Sequence, residues 1–141
     1  MRRWAVVTLL LGLVGCGSSG DVPTEPEQAL ISSGREIVLA FGEDRFLEGT
    51  VLRLSFGQVL EDSRCAVDVV CVWEGNARVE IGIGAGMGPT HPIRLNTALE
   101  PGAVVWSGVL VTLLEVTPAP RSGSRIEPKD YGVKLRLEPS G

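Results

Sequence analysis

From Arg35 onward the chain alternates apolar and polar residues with period two, the pattern of strands that turn one face to a core and the other to water. Tyr131, Val133, Leu135 and Leu137 share one face while Lys134 and Arg136 take the other, which predicts a half-buried antiparallel strand. Ala77, Val79, Ile81 and Ile83 alternate in the same way with Arg78 and Glu80. Leu52, Leu54 and Phe56 start another strand, but the next apolar residue is Val59. The phase therefore slips beside Gly57, and a bulge or bend there would restore the inward face. Further strands are expected at 36–41 and 92–96, and the apolar stretch 104–116 is expected to be divided at Ser107-Gly108. Turn chemistry lies between them, at 42–44, in the glycine series 82–88, at 100–102 and at 118–124. Helical periodicity is nearly absent and no internal repeat is visible. The expected fold is all-β, a single antiparallel β-sandwich or small β-barrel of about seven to eight strands.

The first sixteen residues follow another rule. Arg2 and Arg3 precede the apolar stretch 4–14, which is too short to span a bilayer, and the small Gly15 precedes Cys16. Leu13-Val14-Gly15-Cys16 resembles the lipobox of bacterial lipoproteins. The resemblance implies diacylglycerol transfer to the Cys16 thiol, cleavage just before it and acylation of the new amino group, so Cys16 is the expected lipid-attachment residue. Several acyl chains, each methylene adding about 0.8 kcal/mol, hold a protein on a membrane without help from its folded domain. An Asp after the cysteine tends to retain such proteins at the inner membrane, and Gly17 stands there instead. The expected location is the cell envelope, at the outer membrane if the source has one. Residues 1–15 then form a signal peptide and 16–34 an acylated flexible tether of Gly, Ser, Pro and acidic residues. The β domain is expected over 35–138, with a tail at 139–141.

Removing residues 1–15 leaves 126 of the 141, one domain's worth of chain. It takes Arg2 and Arg3 from thirteen Lys and Arg, leaves all seventeen Asp and Glu, and moves the net charge from −4 to −6. An acidic chain without a basic and aromatic cluster lacks the electrostatic footprint of a nucleic-acid binder, so no nucleic-acid partner is expected.

The compact motif of the domain is Asp62-Ser-Arg-Cys65-Ala-Val-Asp-Val-Val-Cys71-Val-Trp73-Glu74-Gly75. With Cys16 taken by lipid, Cys65 and Cys71 remain in an oxidising compartment, and a disulfide between them is expected to pin the loop. Closing so small a loop contributes roughly 2 kcal/mol in the chain-entropy picture. The segment resembles one found in small, uncharacterised bacterial secreted proteins and lipoproteins, whose loop reads Asp-Ser-Arg-Cys-Pro, a few residues, then Cys-x-Trp-x-Gly. Ala66 departs from that pattern at the proline, and the resemblance brings no activity with it. Asp62, Arg64, Asp68, Trp73 and Glu74 form the candidate binding loop.

Other chemistries for these residues are weaker. Zinc sites space cysteines more closely and want four ligands, which disfavours Cys65 and Cys71 with His91. Glu61, Asp62, Asp68 and Glu74 lack the alternation of a calcium loop and read better as solvated acids than as a cation site or an acid and base pair. Trp73 and Trp106 are expected to fill the core rather than stack on a sugar or peptide. His91, flanked by Pro92 and by Pro89 two residues back, is expected to be exposed and poorly placed as the base of a triad. The glycines at 82–88 have neither dinucleotide nor Gly-Lys-Ser spacing. No catalytic residue, metal or cofactor is expected. The expected function is a lipid-anchored, non-catalytic binding or structural module whose partners are the membrane, through Cys16, and an envelope protein or glycan. The alternative is a lipoprotein inhibitor of a lysozyme-like or other extracellular enzyme, because Ser122-Gly-Ser124, with Lys129 and Tyr131 downstream, is superficially similar to the loop by which such inhibitors enter a cleft.

Overall fold

A computed structural model describes residues 30–141 as two antiparallel four-stranded sheets facing each other. Cys16, the signal peptide and most of the tether lie outside the described residues. The strands are β1 Arg35–Ala40, β2 Asp44–Phe46, β3 Leu52–Asp62, β4 Ala77–Ala85, β5 His91–Asn96, β6 Ala103–Trp106, β7 Val109–Thr117 and β8 Gly132–Pro139. One sheet runs β1-β8-β7-β6 and the other β2-β3-β4-β5, so the fold is an open sandwich and not a closed barrel. Among the described residues no helix is long and apolar enough to cross a membrane.

Alternation dictates what each strand buries. Val79, Ile81 and Ile83 of β4 meet Leu52, Leu54 and Phe56 of β3 and Leu135 and Leu137 of β8 in one core, all of them fully buried. The phase slip at Gly57 is a register shift between Phe56 and Gln58, and a second shift falls between Val59 and Glu61. A third, between Leu113 and Glu115 on β7, moves the inward set from Val111 and Leu113 to Val116. Ser107 and Gly108, with φ of 44° and 79°, make the two-residue turn that splits 103–117 into a hairpin. Both central residues of such a turn must be left-handed.

Five expectations need correction. The glycine series is not all turn, since Gly82 and Gly84 lie inside β4. A Cβ on Gly82 would stand 2.3 Å from Ser55 Oγ, and one on Gly84 2.8 Å from the Pro89 carbonyl oxygen, so these positions let neighbouring segments approach. The short edge strand β2 begins at Asp44, at the end of what reads as a turn, and its three residues are all exposed, leaving no alternation to detect. His91 is the first residue of β5, opposite Ile83, and not part of the preceding turn. The tether ends earlier than residue 34, because Ile31 is 2% exposed within the core and Leu30 packs against it. At the other end β8 runs one residue beyond the expected limit of the domain, to Pro139.

The strands also give the sandwich two unlike poles. Arg35, Leu52, Val109 and Pro139 gather where the chain enters β1, with the Arg35 guanidinium on the Glu48 carbonyl. Ala40, Asp62, Thr117 and Gly132 gather at the other, from which the cysteine loop springs.

Ile31→Ala is expected to lower unfolding free energy by about 2–4 kcal/mol, the cost of a truncated buried aliphatic side chain, in a denaturant titration. A change below about 0.5 kcal/mol would return Ile31 to a solvated tether.

Candidate functional site

The loop of residues 63–76 is built around one ion pair. Asp62 ends β3 with its side chain 11% exposed, and Arg64, 14% exposed, grips it bidentately, Nε to Oδ1 at 2.8 Å and NH2 to Oδ2 at 2.6 Å. The same guanidinium donates to the Val116 and Pro118 carbonyls, the latter at 3.0 Å. Tyr131 donates its hydroxyl to Asp62 Oδ2 at 2.9 Å. Arg64 thus ties the end of β3 in one sheet to the end of β7 in the other, and Tyr131 adds the approach to β8. Burial opposes ionisation of Asp62, but the hydrogen bonds from Arg64 and Tyr131 outweigh it and hold the carboxyl below its ordinary range. Burial, and then donation to Asp62, push the Tyr131 phenol up.

The rest of the motif closes the loop. Ser63 N–H donates to the Asn76 carbonyl at 2.7 Å and Cys65 N–H to the Glu74 carbonyl at 2.7 Å. Gly75 is left-handed at φ 73°, and a Cβ there would stand 1.9 Å from the Ser63 carbonyl oxygen, so no other residue fits. Cys65 and Cys71 are joined by the expected disulfide, their Cα atoms 6.0 Å apart. Asp68 accepts from Ser122 N–H at 2.8 Å and its hydroxyl at 2.7 Å, and Val67 N–H donates to the Pro120 carbonyl at 3.0 Å, which stitches the loop to the 118–124 segment. Beneath it Asn76, 4% exposed, donates to buried Asn96 Oδ1 at 2.9 Å and accepts from Ala98 N–H.

The structure therefore separates the candidate residues by role. Asp62, Arg64 and Asp68 hold the loop together, and Glu74 contributes its carbonyl to the closure. Trp73 does not fill the core as expected; it is 79% exposed. Beside it Val70 and Val72 are fully exposed, and Val67 and Val69 about half so. These valines were not among the candidates. Their signal is a run of apolar residues without alternation in a loop between strands, which no sheet face can bury. Trp106 does pack against the core, and its ring centroid lies 6.1 Å from that of exposed His91. The two loop sulfurs are spent on each other, so they are unavailable to a metal with His91. Asp62, Asp68 and Glu61 face separate partners, Glu61 lying 3.9 Å from Arg78, and form no common acid pair. In the Ser122-Gly-Ser124 turn, Ser122 is engaged by Asp68.

What the arrangement offers is a braced loop that displays valine and tryptophan to the outside. Because the folded-state carboxyl of Asp62 is depressed, the clasp adds stability above the unfolded value of 3.8 and loses it as pH falls through the folded one. Asp62→Asn is expected to be less stable than the parent by about 2 kcal/mol at neutral pH, with the gap closing as pH drops below that value. A gap that stays constant in strong acid would contradict a carboxylate clasp.

Comparison with models of protein families, with curated proteins and with solved structures finds no match to this chain.

Proposed function

We propose that this is a lipid-anchored protein of the cell envelope whose β domain is a non-catalytic binding module, with the disulfide loop as its docking element. The observation that carries the reading is the full exposure of Val70 and Val72 beside exposed Trp73, in a loop fixed by a disulfide, an ion pair and backbone bonds to a second loop. Leaving apolar side chains in water is unfavourable by about 25 cal/mol per Å², so a concentrated group of them marks a surface that is covered in use. Bracing lowers the entropy lost on binding.

The poles support display toward a partner. The chain enters the domain at the pole opposite the loop, so the loop springs from the end of the sandwich far from the point where an anchored tether would join it. Valines and an indole on a convex loop suit an apolar cleft in an envelope protein, with a glycan face stacking on Trp73 as the other fit. Inhibition of an extracellular enzyme is the case in which that cleft is catalytic. The fixed convex loop, and not the Ser122–Ser124 turn, would then be the inserting element.

The test is a photo-crosslinking residue at Val72, compared with one at the exposed Val105 of β6, in cells that express the full chain. A discrete adduct is expected from Val72 alone, lost when Val70 and Trp73 are both changed to Ser, together with acyl label that disappears in Cys16→Ser. Crosslinking from Val72 no greater than from Val105 would end the docking reading, and label retained in Cys16→Ser would end the anchor.

A further inference from the structure

At the same pole, between the second half of β3 and the 120–131 segment, lies an open groove of about 640 Å³. One wall is the second half of β3. Pairing with β2 stops at Ser55, and the Phe56 backbone is taken by Glu43 and Gly42, whose N–H lies 2.6 Å from the Phe56 carbonyl. From Gly57 to Asp62 the strand has β4 on one side and, among the described residues, no strand on the other. The opposite wall comes from the 120–131 segment, and Phe41, Leu60, Ile126 and Tyr131 supply apolar surface between them. Unpaired strand edges bind extended chain, because main-chain groups answer main-chain groups while alternate side chains enter pockets.

Charge narrows the occupant. Three charged side chains line the groove: Glu61, Asp62 and Arg125. Asp62 is neutralised by Arg64, and Glu61 is within 3.9 Å of Arg78. Arg125 is exposed and makes no ion pair among the described residues. Arg125 is therefore the one charged side chain of the lining without an ion-pair partner among the described residues, and it favours a carboxylate. The two bulges at 56–58 and 59–61 shorten any regular ladder, which suits a short peptide and disfavours sheet-to-sheet assembly.

We infer that this groove is a second binding site, separate from the disulfide loop, for a short extended peptide that pairs with the free edge of β3 and sets a carboxylate against Arg125. The probes are two pools of seven-residue peptides with alternating apolar and polar residues, one carrying a single Asp or Glu and the other a single Lys in its place, titrated against the purified protein by NMR. Binding of the acidic pool is expected, with amide shifts concentrated in 57–62. N-methylation of one alternate set of amides in a bound peptide is expected to weaken it about tenfold or more and of the other set little, as the loss of one ladder bond implies. Arg125→Glu is expected to reverse the preference between the pools, and Val70→Ser with Val72→Ser to leave both titrations unchanged. No binding from either pool up to about 1 mM, or equal tolerance of N-methylation on both sets, would overturn the inference. Shifts centred on 67–73 would assign the peptides to the loop instead and would overturn it equally.

Discussion

Arg64 spans the open end of the sandwich, with Asp62 of one sheet in its fork and the carbonyls at the end of β7 in the other beneath it. A planar guanidinium suits this place because it can satisfy a bidentate carboxylate and two carbonyls at once, which an ammonium on a flexible stem cannot do with the same geometry. The pair is largely shielded from water, so its Coulomb attraction is screened less than that of the exposed pairs on the strand faces, such as Arg94 with Glu80. Much at this pole depends on it. The exit of β3, the loop closed by Cys65 and Glu74, the 118–124 segment and the phenol of Tyr131 all take their positions from it.

A division of labour follows within the motif. Asp62, Ser63, Arg64, the cysteines and Gly75 are satisfied by contacts inside the protein, each with a nameable partner or steric limit. The side chains of Trp73, Val70 and Val72 instead face solvent. Residues that build a loop and residues that it presents are thus interleaved in fourteen positions. The groove beside it is made differently, from a strand edge that β2 is too short to cover.

Much of the scaffold was legible in the sequence because period-two burial is a local property. The strand faces of β4 and β8, the slip at Gly57 and the hairpin at Ser107-Gly108 follow from side-chain direction and left-handed turns alone. What was not legible depends on partners distant in the chain. Ile31 is buried only because the sandwich offers it a place at the end of a polar segment, and β2 is a strand only because β3 pairs with it. Gly82 and Gly84 read as turn residues until the approach of Ser55 and Pro89 explains them. Trp73 illustrates the limit most clearly: a tryptophan beside a disulfide is usually core, but this one is 79% exposed at the end of the sandwich, and no local pattern encodes that. The cysteine pairing followed from the expectation that Cys16 is set apart for lipid, and the acids of the loop were found without their roles.

The central claim is that the loop is held still while its apolar side chains face water. Backbone ¹⁵N relaxation of the oxidised protein tests it most directly. The account predicts order parameters at Val70, Val72 and Trp73 close to those of β4, near about 0.85, whereas values below about 0.6 would mean a flexible loop and would contradict it.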